Sequence, residues 1–257
     1  DLKGSAEAYS VEVFGRKVPY ARSEFSRLGD SWSEDKIIAQ AGTGAISGSL
    51  AWNQKTDALS GAFMGQSLLA SDWLPDLLGS VDIKDVKVGG LLKKPEASIS
   101  LASDSLVAYG FPLSHASAQA VWHGNQITLQ SLTAKARSGE VSARGALNLD
   151  TKALEGSFNV NQAPLNMIPV SADAAVFGGE ITGDGVITGT YELPKLDFTG
   201  SVKGAEINAT EIGSGTIRAN LSGQTLTLSG ELGSLDRFII LNPSQVDFEA
   251  RTLQAEA

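Results

Sequence analysis

Few residues in this chain are spaced to do chemistry. His115 and His123 are its two imidazoles, and no third ligand accompanies them. A zinc site needs three or four protein ligands, so surface hairpin positions are expected for both. Cysteine is absent. That removes disulfides, thiolate zinc sites, iron–sulfur clusters and a cysteine nucleophile. Residues 42–48 read GTGAISG, which imitates a phosphate-binding loop. The lysine of that motif is missing and no long helix follows, so strand-to-turn glycines are expected instead. Asp72 with Asp76 and Asp82 with Asp85 are carboxylate pairs of the kind glycosidases use. Among 29 acidic residues such pairs arise by chance. No catalytic residue, metal or cofactor is expected, and the chain does not read as an enzyme.

The elements that would position any site are strands. Glycine numbers 28, and aromatic residues make up 7% of the chain. Apolar residues come in short alternating stretches separated by Gly, Asn, Asp and Ser. That is the period-2 pattern of an all-β chain. The net charge of −9 without a basic patch makes nucleic acid a poor partner. No apolar run approaches the ~18 residues of a membrane-spanning helix. The start lacks a Met and a charged-then-apolar leader, as expected of a piece of a longer protein.

The chain resembles itself. Laying Pro95 on Pro194 also lays Gly90 on Gly189, and WHGNQITL (122–129) on LSGQTLTL (221–228). DALSGAF (57–63) resembles KALEGSF (152–158), and a segment that breaks the strand pattern follows each: 67–79 and 163–170. GRKVPYARSEF near the start matches AYGFPLSHASA in the middle. Units are expected at 1–94, 95–193 and 194–257, the last partial, in one continuous sheet. HGN (123–125), SGQ (222–224), RSGE (137–140) and LDTKA (149–153) suit short hairpins. In 67–79, Leu68, Leu69, Trp73, Leu74, Leu77 and Leu78 fall at helical spacing before Gly79. One short helix or amphipathic loop is expected there, packed as a lid or presented to a membrane or partner. Trp52, Trp73 and Trp122 are expected as core or hairpin anchors.

Each strand has one apolar and one wet face. Ala97, Ile99 and Leu101 oppose Ser98 and Ser100. Leu154, Gly156, Phe158 and Val160 oppose Glu155, Ser157 and Asn159. Ala205, Ile207 and Ala209 oppose Glu206 and Asn208. Ile217, Ala219 and Leu221 oppose Thr216, Arg218 and Asn220. A sandwich, a closed barrel, a β-helix and a curled trough all use such faces. Sandwiches and barrels want bulk inside, and here many inner positions are Ala or Gly. The expectation is a long curled antiparallel sheet of repeated hairpins, groove-like or β-helical, with one or two short helices. Strands ~4.8 Å apart give fifteen of them a groove of roughly 70 Å. Its lining is expected from Ile99, Leu101, Ile127, Leu129, Val141, Leu147, Phe158, Val160, Phe198, Val202, Ile207, Ile217, Leu221, Leu226 and Leu228.

LPKLDFTGSV (193–202), QTLTLSG (224–230) and GEVSARGALNL (139–149) with ALEGSFNV (153–160) resemble the repeat of the AsmA-like family, and most its translocation-and-assembly-module (TamB) branch. Pro95 and Pro194 match the repeat's proline, while Ala97 departs from its usual Leu. The resemblance covers most of residues 35–232. It implies a taco-shaped sheet with an apolar interior, in the periplasm of a diderm bacterium. It also implies phospholipid acyl chains as cargo, a role in outer-membrane biogenesis and protein assembly, an inner-membrane anchor and an outer-membrane barrel partner. The anchor and the barrel-meeting end belong to the full-length protein, so this chain would be an internal segment. The sequons at Asn208 and Asn220 carry no meaning in that compartment. A structural or adhesive surface repeat with a closed core is the alternative.

Overall fold

The computed structural model describes residues 1–13, 16–72, 74–108, 110–167, 177–223, 225–234, 237–247 and 252–254. Trp73, Tyr109, Gln224, Gly15 and residues 168–170 of the expected motifs lie outside the described residues. The chain is all-β and antiparallel, and its sheet is not closed. It divides into two compact units, Asp1–Tyr109 with Ser114–Gln130, and Gly110–Leu113 with Ser131–Ala257.

The first unit contains β1 (Leu2–Val13), β2 (Arg16–Leu28), β3 (Ser31–Ala41), β4 (Gly44–Asn53), β5 (Leu59–Leu69), β6 (Leu77–Leu91) and β7 (Lys94–Ala108). Each pairs antiparallel with the next. Strands β8 (Phe111–His123) and β9 (Gln126–Ala136) contribute residues to both units. The second unit continues with β10 (Gly139–Asn148), β11 (Leu154–Pro164), β12 (Phe177–Gly189), β13 (Pro194–Ile207), β14 (Thr210–Ser222), β15 (Thr225–Ser234), β16 (Arg237–Asp247) and β17 (Thr252–Gln254). These also pair in chain order.

Local chemistry sets the turns. Gly29, Gly124 and Gly223 head the β2–β3, β8–β9 and β14–β15 hairpins with φ of +59°, +56° and +62°. Glycine adopts that conformation at the least steric cost. The matched heptapeptides follow matched turns. Asn53 Oδ1 accepts the amides of Lys55 (3.1 Å) and Thr56 (2.9 Å). Asn148 Oδ1 accepts those of Asp150 (3.0 Å) and Thr151 (2.9 Å). Both are Asx turns, and Asp57 and Lys152 end them at φ 60° and 58°.

Bulges interrupt the ladders at recurring places. Ser67 (φ 51°), Gln162 (φ 50°) and Gly204 (φ 58°) each sit in a register shift of β5, β11 and β13. A bulge leaves a backbone amide without its ladder partner and bends the strand. Here a side chain of the following strand accepts each one. The acceptors are Asp82 Oδ1 at 2.9 Å, Thr182 Oγ1 at 2.9 Å and Ser214 Oγ at 3.0 Å.

The short helix or amphipathic loop expected in 67–79 holds one 3-10 turn, Ala70–Asp72. Leu68 and Leu69 end β5 opposite Val81 and Ser80. Leu77 and Leu78 begin β6 opposite Ala108 and Val107. The helical spacing arose because two strand ends flank a tight turn, and Gly79 stops no helix but lies within β6 at φ +118°. The second break holds an equivalent 3-10 turn, Leu165–Met167. Ala209 also leaves its expected strand face. Asn208 (φ 51°) and Ala209 (φ 61°) form the two-residue turn between β13 and β14, where both positions need positive φ.

Among the described residues no large side chain is fully buried. Of the large apolar residues described, Leu68, Leu106, Phe198 and Val202 are buried, and the others are half-buried or exposed. In the second unit Ala136 and Ala163 form a small buried cluster with Leu113, Val141, Val160 and Ile181 packed against it.

Candidate functional site: the apolar sheet face

Register fixes which residues share a face, because side chains directly opposite in an antiparallel pair point the same way. In the second unit, rows run across β10 to β15. One is Ala143, Phe158, Gly185, Phe198, Ala219, Leu228. A second is Val141, Val160, Gly183, Gly200, Ile217, Gly230. A third is Gly145, Gly156, Ile187, Leu196, Leu221, Leu226. None of these rows contains a polar side chain.

Large residues in these rows lie over glycines. Phe158 and Phe198 stack 5.8 Å apart at 8° across the strand that separates them. Gly185 sits between them in the row, and a Cβ there would collide with the Phe158 ring. A Cβ on Gly183 or Gly200 would come within 2.6 or 2.7 Å of Phe198 Cζ. The rings therefore rest on the backbone and gain contact area without standing off the sheet. Phe198 is 8% exposed and Val202, opposite Ile181 and Gly215, 3%. Leu228 in the same row as Phe198 is 38% exposed, so contact with solvent varies sharply along one row.

The expected lining residues of the second unit fall on this face as follows. Val141, Phe158, Val160, Phe198, Val202, Ile217, Leu221, Leu226 and Leu228 share it, and Leu147 pairs with Leu154 at its margin. Ile207 does not join them. It lies past the Gly204 bulge at the end of β13, 37% exposed and opposite Thr210. In the first unit Ile99 opposes Val86 and Leu101 opposes Ile83, and all four are half-buried. Ile127 and Leu129 are half-buried on β9.

The same packing recurs in the first unit. A Cβ on Gly4 would meet Phe25 Cζ at 2.6 Å, and one on Gly61 would meet Leu50 Cδ1 at 2.9 Å. This unit's face is not wholly apolar. Glu34 lies between Phe25 and Leu50 in its row, half-buried. Its carboxylate has no hydrogen-bond or ion-pair partner among the described residues. Arg27 opposes Trp32, with its guanidinium 5.0 Å from the ring centroid and Nε donating to Gly29 O at 3.2 Å. Simple alternation does not reveal Glu34, because the bulge at Lys36 (φ 50°) shifts the phase between Glu34 and Ile37.

The opposite face is polar. In the second unit Arg144 Nε donates to Ser157 Oγ at 3.2 Å, Asn159 Nδ2 to Asp184 Oδ1 at 2.9 Å, and Asn220 Nδ2 to Asp197 Oδ1. In the first unit Lys36 pairs with Glu24 at 2.9 Å and Arg22 with Glu7 at 3.9 Å.

Asp82, Asp85 and His123 are engaged in other contacts. Asp82 accepts the Ser67 amide and the Lys84 ammonium at 2.9 Å. Those bonds, the backbone one foremost, hold its carboxyl below the usual range. Asp85 pairs with Lys87 at 3.3 Å. His123 Nδ1 lies 3.0 Å from Glu96 in an exposed pair. Among the described residues no three His, Asp or Glu side chains converge as metal ligands, and no helix is long and apolar enough to cross a membrane. Compared with family models, curated proteins and solved structures, the chain has no significant match.

Proposed function

We propose that this chain is a segment of an AsmA-like, TamB-type envelope protein in the periplasm of a diderm bacterium. Its apolar sheet face carries phospholipid acyl chains between the inner and outer membranes and assists outer-membrane protein assembly, without catalysis. The full-length protein is anchored in the inner membrane and meets an outer-membrane barrel. One observation carries the reading. The rows across β10 to β15 are free of polar side chains, yet of their large residues only Phe198 is buried and the rest keep contact with solvent. Such a surface offers ~0.8 kcal/mol per methylene taken from water. It offers that repeatedly along successive strands, as sliding of an acyl chain requires.

The test is photo-crosslinking by face. Probes at Ile99, Ile127, Phe158, Ile217 and Leu226 are expected to capture phospholipid, and probes at Ser98, Asn159 and Arg218 are not. Equal capture from both faces removes the proposal. So does a protein that stays lipid-free in native mass spectrometry after incubation with phospholipid, which would favour a structural repeat.

A further inference from the structure

We propose that the β1–β3 end of the first unit reads the headgroup of a zwitterionic phospholipid, with Glu34 taking the ammonium and Arg27 the phosphate. This rests on the lipid reading above and names the lipid class. The argument starts from an anomaly. On the polar face of these strands the acids are matched, Glu7 with Arg22 and Glu24 with Lys36. Glu34 lies on the other face, between Phe25 and Leu50, without such a partner. A half-buried carboxylate beside apolar neighbours loses hydration and lacks compensation. A cationic ligand group supplies it.

The surroundings fit an ammonium attached to an apolar body. A shallow cleft of about 210 Å³ opens beside Glu34, lined also by Ala6, Glu7, Ala8, Ala21, Arg22, Ser23 and Ile37, with Glu7 and Arg22 paired to each other. The Phe25 ring, lying over Gly4, adds an aromatic surface of the kind that attracts ammonium groups. Arg27 faces Trp32, so it stands diagonally across from Glu34 on the same face. Diagonal neighbours of an antiparallel pair have Cα atoms about 7–8 Å apart, within reach of both long side chains. The face thus presents one anion and one cation side by side, the complement of a headgroup with adjacent ammonium and phosphate. An anionic lipid without the ammonium meets Glu34 as a like charge.

The full chain is incubated with liposomes of equimolar phosphatidylethanolamine and phosphatidylglycerol, re-isolated, and its bound lipid quantified by mass spectrometry. Exposed ion pairs contribute 0.2–1 kcal/mol, so enrichment of the ethanolamine lipid by up to about fivefold is expected. Glu34→Gln should abolish that enrichment while total uptake persists, and Glu34→Lys should shift uptake towards phosphatidylglycerol. Glu24→Gln removes the same charge from the opposite face and should leave the enrichment intact. An unchanged lipid ratio in both Glu34 variants, or an equal loss in Glu24→Gln, overturns the headgroup assignment and leaves the acyl-chain reading standing. Absence of any lipid uptake by the wild-type chain overturns both.

Discussion

Glycine performs two different tasks in this sheet, and substitution separates them. At Gly185 the neighbour is the far end of the Phe158 ring, a side chain able to swing aside. At Gly213 the neighbour is the Gly233 carbonyl of the paired strand, and φ is +121°. Gly213→Ala therefore requires backbone movement and should cost about 2–3 kcal/mol, while Gly185→Ala should cost about 1 kcal/mol or less. Thermal unfolding of the two variants checks the order, and equal losses would refute it. Gly185→Ala should also lift Phe158 and lower lipid capture at that position. Legibility at this scale was uneven. The apolar identities of Phe158 and Phe198 and their alternation were plain in the sequence. Their stacking across an intervening strand depends on register, which one strand alone does not specify. Glu34 stayed hidden for the same reason, since the bulge beside it alters the phase.

At the scale of elements, the bulges explain most departures from a regular meander. The displaced amides of Ser67, Gln162 and Gly204 find acceptors on the next strand, and among those acceptors Asp82 is the ionisable one. Its folded-state pKa is depressed. The stability it contributes is therefore present above the ordinary carboxylate range and is lost as pH falls through the lowered value. Asp82→Asn should lower stability at neutral pH and flatten the acid side of a plot of thermal midpoint against pH. Thr182 accepts the equivalent amide without titrating, so Thr182→Val should lower stability by about 1 kcal/mol independently of pH. The hairpins were legible because Asn, Asp and Gly mark them. In the segment 67–79, leucines on two adjacent strand ends reproduce a helical interval around one 3-10 turn. Only the pairing of Leu68 with Val81 and of Leu77 with Ala108 separates the two patterns.

At the scale of the molecule, nearly all pairing is between strands adjacent in the chain. Stability in such an arrangement approximates a sum over neighbours rather than one cooperative core. Within the first unit, β1 pairs along β2 and is exposed over nearly all its described length, whereas β5 and β6 hold buried Leu68 and the bridged Asp82. Amide exchange should accordingly be faster in β1 than in β5 and β6. Uniform protection across these strands would indicate a single cooperative unit. The all-β class and the meander were readable from alternation and turn spacing. The division into two compact units was not, because it reflects how pairs cluster in space rather than where the sequence repeats.

Pairing in chain order also imposes a parity rule. Within each unit consecutive paired strands reverse direction, so removing one strand would send the later strands of that unit the wrong way. It would exchange the ends at which the following turns stand and force new faces on the downstream pairs. Removing or duplicating two consecutive strands preserves both direction and alternation. Length variation in proteins of this design should therefore come in even steps. Turns such as those at Gly29 and Gly124 should remain on one margin however many pairs separate them.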